Sequence, residues 1–158
     1  MKEKKEHIRR SHNVTLLLYH IVLPAKYRRK IFTEEIIKWL IEICEEIEEQ
    51  SEIYFLEIWA DEDHVHFMVQ WIPTMTVTRI ITIIKSKSAN YLFKKYGEYL
   101  KKYLWWWKLW TSWYYVNTVW AFAWEETIRN YIKKQWNKWY EKWYEKQIDL
   151  WQMVLFVA

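Results

Sequence analysis

Residues 53–71, IYFLEIWADEDHVHFMVQW, hold two runs of apolar and aromatic residues separated by Asp61, Glu62 and Asp63. Runs of this length on either side of a short acidic turn predict a hairpin of two strands, over 53–60 and 64–71. Side chains alternate across a strand, so the second arm sends His64 and His66 to one face and Val65 and Phe67 to the other. One hairpin thus carries a core-forming side and a pair of imidazoles.

Upstream, residues 14–23 are rich in β-formers and lie between Asn13 and Pro24, which predicts another strand. Thr33 is suited to cap a helix whose first turn holds Glu34 and Glu35, and Ile36, Leu40, Ile43, Cys44 and Ile47 recur at helical spacing up to Gln50. Downstream of Pro73, the spacing of Val77, Ile80, Ile81, Ile84, Ser88, Tyr91 and Leu92 predicts a second helix, with Gly97 as its stop. Residues 98–111 are aromatic and basic and take no clear assignment. Residues 113–119 read as a fourth strand. A third helix opens at Glu125 and Glu126, with Ile128, Ile132, Trp136, Trp139 and Trp143 on its apolar side. The apolar stretch 150–158 suits an added strand or an interface segment. The order strand, helix, strand, strand, helix, strand, helix predicts an α+β fold on the ferredoxin-like split βαβ plan. It implies an antiparallel sheet with helices on one face, in a single domain over residues 1–158. That plan hosts many functions, so the site residues must decide among them.

Composition narrows the classes. The single cysteine, Cys44, excludes an internal disulfide and a Cys-rich zinc site, and fits a reducing, cytoplasmic setting. No run of about 18 uncharged apolar residues is present, and the first ten residues are charged, so neither a membrane span nor a cleaved leader is expected. A net charge of +4, with basic residues gathered at 2–10, 26–30 and 133–146, is compatible with a nucleic-acid partner. The chain has one glycine where average usage gives about eleven, and fourteen tryptophans. Gly97 alone cannot build a phosphate loop or a dinucleotide fingerprint, so no nucleotide cofactor is expected. The same counts read as a redesigned sequence on a natural backbone, with site residues retained.

His64-Val65-His66 presets two nitrogen donors toward one ion, but a chain with five histidines reaches that alternation by chance often enough that a further group must complete the site. Tyr131 and Gln135, four apart on the predicted third helix, share a helix face. Among twelve tyrosines, spacing alone does not separate Tyr131 from a packing residue.

Several blocks, in order, carry a resemblance. His12-Asn13-Val14, Tyr19-His20-Ile21-Val22 and Lys26-Tyr27-Arg28-Arg29-Lys30 look like the opening of insertion-sequence transposases of the 200/605 group. Asp61-Glu62-Asp63-His64-Val65-His66 resembles that family's acidic turn and His-hydrophobic-His motif. Leu109-Trp110-Thr111 and Val116-Asn117-Thr118-Val119 resemble the segments around its fourth strand. Ile128-Arg129-Asn130-Tyr131-Ile132-Lys133-Lys134-Gln135 resembles the helix bearing its nucleophilic tyrosine. The resemblance covers about residues 11–135. Two segments depart from it. Trp120-Ala121-Phe122-Ala123-Trp124 replaces a glycine-rich turn, and Lys85-Ser86-Lys87-Ser88-Ala89-Asn90 replaces a more basic helix segment.

The resemblance implies a metal-dependent endonuclease and strand transferase that acts on single-stranded DNA with imperfect hairpins. It further implies Tyr131 as nucleophile, His64, His66 and Gln135 as ligands of Mg or Mn, and a homodimer whose sheets join. Arg9, Arg10, Lys26, Arg28, Arg29, Lys85 and Lys87 are candidate phosphate contacts. His7, His12 and His20 read as surface or packing residues, and Cys44 as a core residue. Two further readings stay open: a scaffold that keeps the site residues without productive cleavage, and a single-strand binder without catalysis.

Overall fold

The computed structural model of the protein describes residues 7–119; the expected third helix, with Tyr131 and Gln135, and the apolar stretch 150–158 lie outside the described residues. Within them the elements run β1 (Ile8–Arg10), β2 (Asn13–Thr15), β3 (Leu18–Pro24), a short 3-10 turn (Lys26–Arg28), α1 (Glu34–Gln50), β4 (Ile53–Ala60), β5 (His64–Trp71), α2 (Val77–Lys101) and β6 (Tyr115–Thr118). Strands β4, β5, β3 and β6 form one sheet in that order, every neighbour antiparallel. Because β5 lies between β3 and β4, the unit β3–α1–β4 is split, and α2 carries the chain across to the opposite edge at β6. This is the ferredoxin-like plan.

One face of the sheet makes the core. Ile21, Leu23, Phe55, Val65, Phe67, Val69 and Trp71 are buried with Ile36, Leu40, Ile43 and Ile47 of α1 and Ile80, Ile84 and Leu92 of α2. The apolar periodicity of both helices is therefore spent on the same sheet face. Thr33 Oγ1 accepts the Ile36 N–H at 3.5 Å and Thr76 Oγ1 accepts that of Arg79 at 3.3 Å, so each helix starts on a threonine cap. Cys44 is buried in this core, and burial pushes its thiol pKa up, as expected of a packing residue.

Three expectations shift. The apolar run 14–23 is not one strand: Asn13–Thr15 pairs with Ile8–Arg10 in a two-stranded hairpin, and only Leu18–Pro24 enters the main sheet. Val14 is exposed opposite Arg9, so an apolar run does not fix which sheet each residue joins. Gly97 does not stop α2, which continues to Lys101. The glycine keeps a negative φ, a kink at Tyr96 (φ −115, ψ 25) absorbs the irregularity, and Leu100, fully buried, holds the last turn on the core. The fourth strand is shorter than its apolar pattern, Tyr115–Thr118.

Beyond α2, the stretch without a sequence assignment is anchored by buried Leu104, Leu109 and Trp110. Trp110 Nε1 donates to Ser88 Oγ at 2.8 Å. The Lys85 ammonium donates to the carbonyls of Thr111, Ser112 and Trp113 at 2.8, 3.2 and 3.1 Å, which fixes the path into β6.

Candidate active site

The face of the sheet opposite the helices carries the imidazoles. His64 and His66 leave β5 on this face, their ring centroids 4.8 Å apart, while Val65 and Phe67 point into the core. Two partners reach His66 from neighbouring strands. His20 on β3 places Nε2 2.8 Å from His66 Nδ1, with the rings stacked at 5.1 Å. Trp59 on β4 stacks on His66 at 5.0 Å and on His20 at 5.4 Å.

Trp59 reaches that face because β4 is bulged. The pairing slips between Phe55 and Glu57, so Phe55 stands opposite Val69 and faces the core, whereas Trp59 stands opposite His66. In an unbroken alternation Phe55 and Trp59 would share a face. One extra residue at Leu56 moves the indole to the imidazoles.

The acidic turn holds His64. Asp63 Oδ1 lies 2.6 Å from His64 Nδ1, and Asp63 Oδ2 lies 2.7 Å from Arg28 Nε, so one carboxylate links a guanidinium to an imidazole. The turn itself is clamped from the side. Asp63 O accepts the Ala25 N–H at 2.8 Å, and Glu62 O accepts those of Ile31 and Phe32 at 2.9 and 3.1 Å. Arg28 faces the turn because Tyr27 and Arg28 both adopt left-handed backbone, φ 59 and 53, closing a tight reversal in which Arg28 N–H donates to Ala25 O.

Burial keeps two of the rings neutral. Desolvation lowers the His20 pKa from 6.5 to about 4. Desolvation, with charge repulsion from His20 and His64, lowers that of His66 to about 2. The unfolded chain binds these protons near pH 6.5 and the folded chain does not, so falling pH favours unfolding. In metal-free buffer the melting temperature should be level above about pH 7 and drop as pH falls through 6.5 toward 5, before carboxylates titrate. A flat profile over that range would contradict the assignment.

Both ring Nδ1 atoms thus have partners, Asp63 for His64 and His20 for His66. This arrangement suits ligation of a cation through Nε2 of each ring, the second partner fixing tautomer and orientation. Among the described residues no group of three or more His, Cys, Asp and Glu side chains is placed to hold a metal ion. Gln135, expected in that role, lies outside the described residues, as does Tyr131.

The seven basic candidates separate by their surroundings. Arg9 and Arg29 are exposed. Lys26 lies over the Tyr27 ring at 4.8 Å. Arg10 pairs with Glu52, Arg28 with Asp63, and Lys87 donates to Gln50 Oε1. Lys85 is occupied by its three carbonyls. Sequence reading missed His20, Trp59 and Asp63 as site neighbours. For His20 a signal existed: in the split plan the first and third strands are adjacent, so a histidine mid-way along one can meet an imidazole on the other. For Trp59 none existed, because the bulge has no mark in the sequence.

Comparison with known proteins points to one family. The family model described as "Transposase IS200 like" matches residues 13–135. The transposase for insertion sequence element IS200 of Salmonella typhimurium is 32% identical over 117 residues, covering 74% of this chain and 75% of that protein. The ISDra2 transposase TnpA of Deinococcus radiodurans is 29% identical over 122 residues, covering 77% of this chain and 86% of that protein. A solved structure described as a "putative transposase" from Deinococcus radiodurans R1 superposes with a TM-score of 0.64 at 26% identity, covering 85% of this chain and 98% of that one. A family match across most of the chain, on a ferredoxin-like sheet with paired imidazoles, shows that the protein belongs to the IS200-like transposases, enzymes that cut and rejoin DNA.

Proposed function

We propose that this transposase cleaves single-stranded DNA through a 5′-phosphotyrosine intermediate on Tyr131 and transfers the strand by the reverse step. The observation that carries the proposal is the pair His64 and His66, each with its Nδ1 engaged, by Asp63 and by His20. With Gln135 as an oxygen donor they would hold Mg or Mn, a mixed set that suits these ions better than a closed thiolate site. Such an ion, when bound, neutralises charge on the scissile phosphate and stabilises a departing oxygen.

The chain's own residues supply the remainder. The Tyr131 phenol, ordinarily of pKa about 10, loses its proton as its oxygen attacks phosphorus. The bond from phosphorus to the 3′ oxygen breaks, and that oxygen takes up a proton to leave a free 3′-hydroxyl. The phosphoester count is unchanged, so no nucleotide triphosphate is needed. A second 3′-hydroxyl attacking the phosphotyrosine restores the phenol and joins the strands. Of the seven candidates, Arg9, Arg29 and Lys26 are the ones left to meet phosphates, because the other four are held by carboxylate, amide or carbonyl oxygens, whereas the Lys26 ammonium lies over the Tyr27 ring. The natural substrate is a single strand with an imperfect hairpin, bound by a homodimer.

The test is a labelled single-stranded hairpin oligonucleotide incubated with manganese and run on a denaturing gel. A protein-linked band is expected for the native chain and not for Tyr131→Phe. Binding without any adduct, whichever divalent ion is supplied, would instead make the chain a single-strand binder.

A further inference from the structure

Among the described residues, four non-glycine residues adopt left-handed backbone, and they form two adjacent pairs: Tyr27 with Arg28, and Trp106 with Trp107. The segments that carry the two pairs meet, while the Trp107 ring itself packs on Phe93 of α2 at 5.3 Å. Lys26 N–H donates to Leu109 O at 2.7 Å, Ala25 bridges to Trp110, and Ala25 N–H donates to Asp63 O at 2.8 Å. The loop carrying the tryptophans therefore meets the Lys26–Arg28 turn at the end of the sheet where His64 begins β5.

What this end presents is unusual for a protein surface. Trp106 is 85% exposed and Trp105 68%, with Trp107 and Tyr27 also mostly open to water. These are large rings, and burying them elsewhere would be favourable. They are not loose: buried Leu104 precedes them and buried Leu109 and Trp110 follow, so the loop is pinned at both ends. Cations are interleaved with the rings. Lys101 Nζ lies 4.5 Å from the Trp107 ring centroid, Lys26 Nζ lies 4.8 Å from that of Tyr27, and Lys108 is exposed next to Trp107. Exposed aromatic faces alternating with ammonium groups match a ligand that alternates flat apolar rings with anions, which is the chemistry of an unpaired nucleic-acid strand.

We infer that Tyr27, Trp105, Trp106 and Trp107, with Lys26 and Lys108, form a stacking platform for unpaired bases of the DNA strand that enters the His64–His66 site. The inference rests on the single-strand reading given above and adds a second place of contact to it. Stacking is indifferent to base identity, so the platform would hold the strand without reading its sequence.

The test uses the full chain, a labelled single-stranded oligonucleotide and EDTA, so that no cleavage intervenes, with affinity read by fluorescence anisotropy. Trp105→Ala/Trp106→Ala should weaken binding about tenfold or more. An oligonucleotide of the same length built from abasic nucleotides keeps the phosphates and removes the bases; on it the native chain and the variant should bind alike. Equal affinity on the ordinary strand, or an equal loss on both strands, would overturn the inference. So would sedimentation velocity showing that the variant dissociates a dimer, since the rings would then serve contact between copies. Failure of the two readings can be told apart. A native chain that forms the Tyr131 adduct while the double variant binds normally refutes the platform alone. Base-dependent binding with no adduct refutes the phosphotyrosine reading alone.

Discussion

Replacing His64 by alanine is expected to reduce adduct formation on the hairpin oligonucleotide at least about 1000-fold, because a cation at a scissile phosphate contributes several kcal/mol and each 1.36 kcal/mol is tenfold in rate. His64 suits the experiment because its removal touches little of the core: Val65 and Phe67 face the helices, and His64 sits at the start of β5. The same change should abolish manganese binding measured by calorimetry, a readout independent of turnover. Asp63→Ala should give an intermediate result. It removes the carboxylate 2.6 Å from His64 Nδ1 while leaving the imidazole, and loss of such a partner from a metal-binding histidine weakens metal affinity by about 10- to 100-fold. If Asp63→Ala bound manganese as tightly as the native chain, the carboxylate would be holding only the turn and Arg28.

The largest effect on stability is expected at Phe67. Its ring is fully buried, meets Phe55 edge-on at 5.9 Å and Trp110 at 6.5 Å, and belongs to the core cluster that includes residues of both helices. Phe67→Ala removes the ring and leaves a cavity that two helices and three strands cannot easily collapse around, a loss of about 3–5 kcal/mol. Urea denaturation of the native chain and the variant measures it, with the slope unchanged if the unfolded states match. A loss below about 1 kcal/mol would mean the core repacks around the site.

The two effects live on opposite faces of one strand, and this explains how much was legible in advance. The alternation in 64–71 told which side chains enter the core and which form the imidazole pair, because period two is a local property. The Thr33 cap and the helical apolar spacings were legible for the same reason, whereas the Thr76 cap emerged only with the fold. The split order of strands followed from the sequence of elements. What was not legible depends on contacts between distant segments. The division of residues 14–23 between two sheets is decided by pairing with Ile8–Arg10, and the survival of α2 past Gly97 by where Leu100 meets the core. Lys85 read as a phosphate contact from its charge, yet its position relative to three carbonyls in residues 111–113 is a tertiary fact. Arg28 likewise carries a charge that the sequence lets one count and only the fold shows to be engaged by Asp63.

The slipped pairing at Leu56 has a bearing on how such a chain tolerates rewriting. On β4 the inward set is Ile53 and Phe55 before the irregularity and Ile58 and Ala60 after it. Any scheme that labels positions greasy or polar by strict odd-even counting would be right for the first half and inverted for the second. It would treat Trp59 as filler for the helical side and Ile58 as dispensable decoration. The indole is thereby placed against His66 on the imidazole face, although its address looks like that of a core residue.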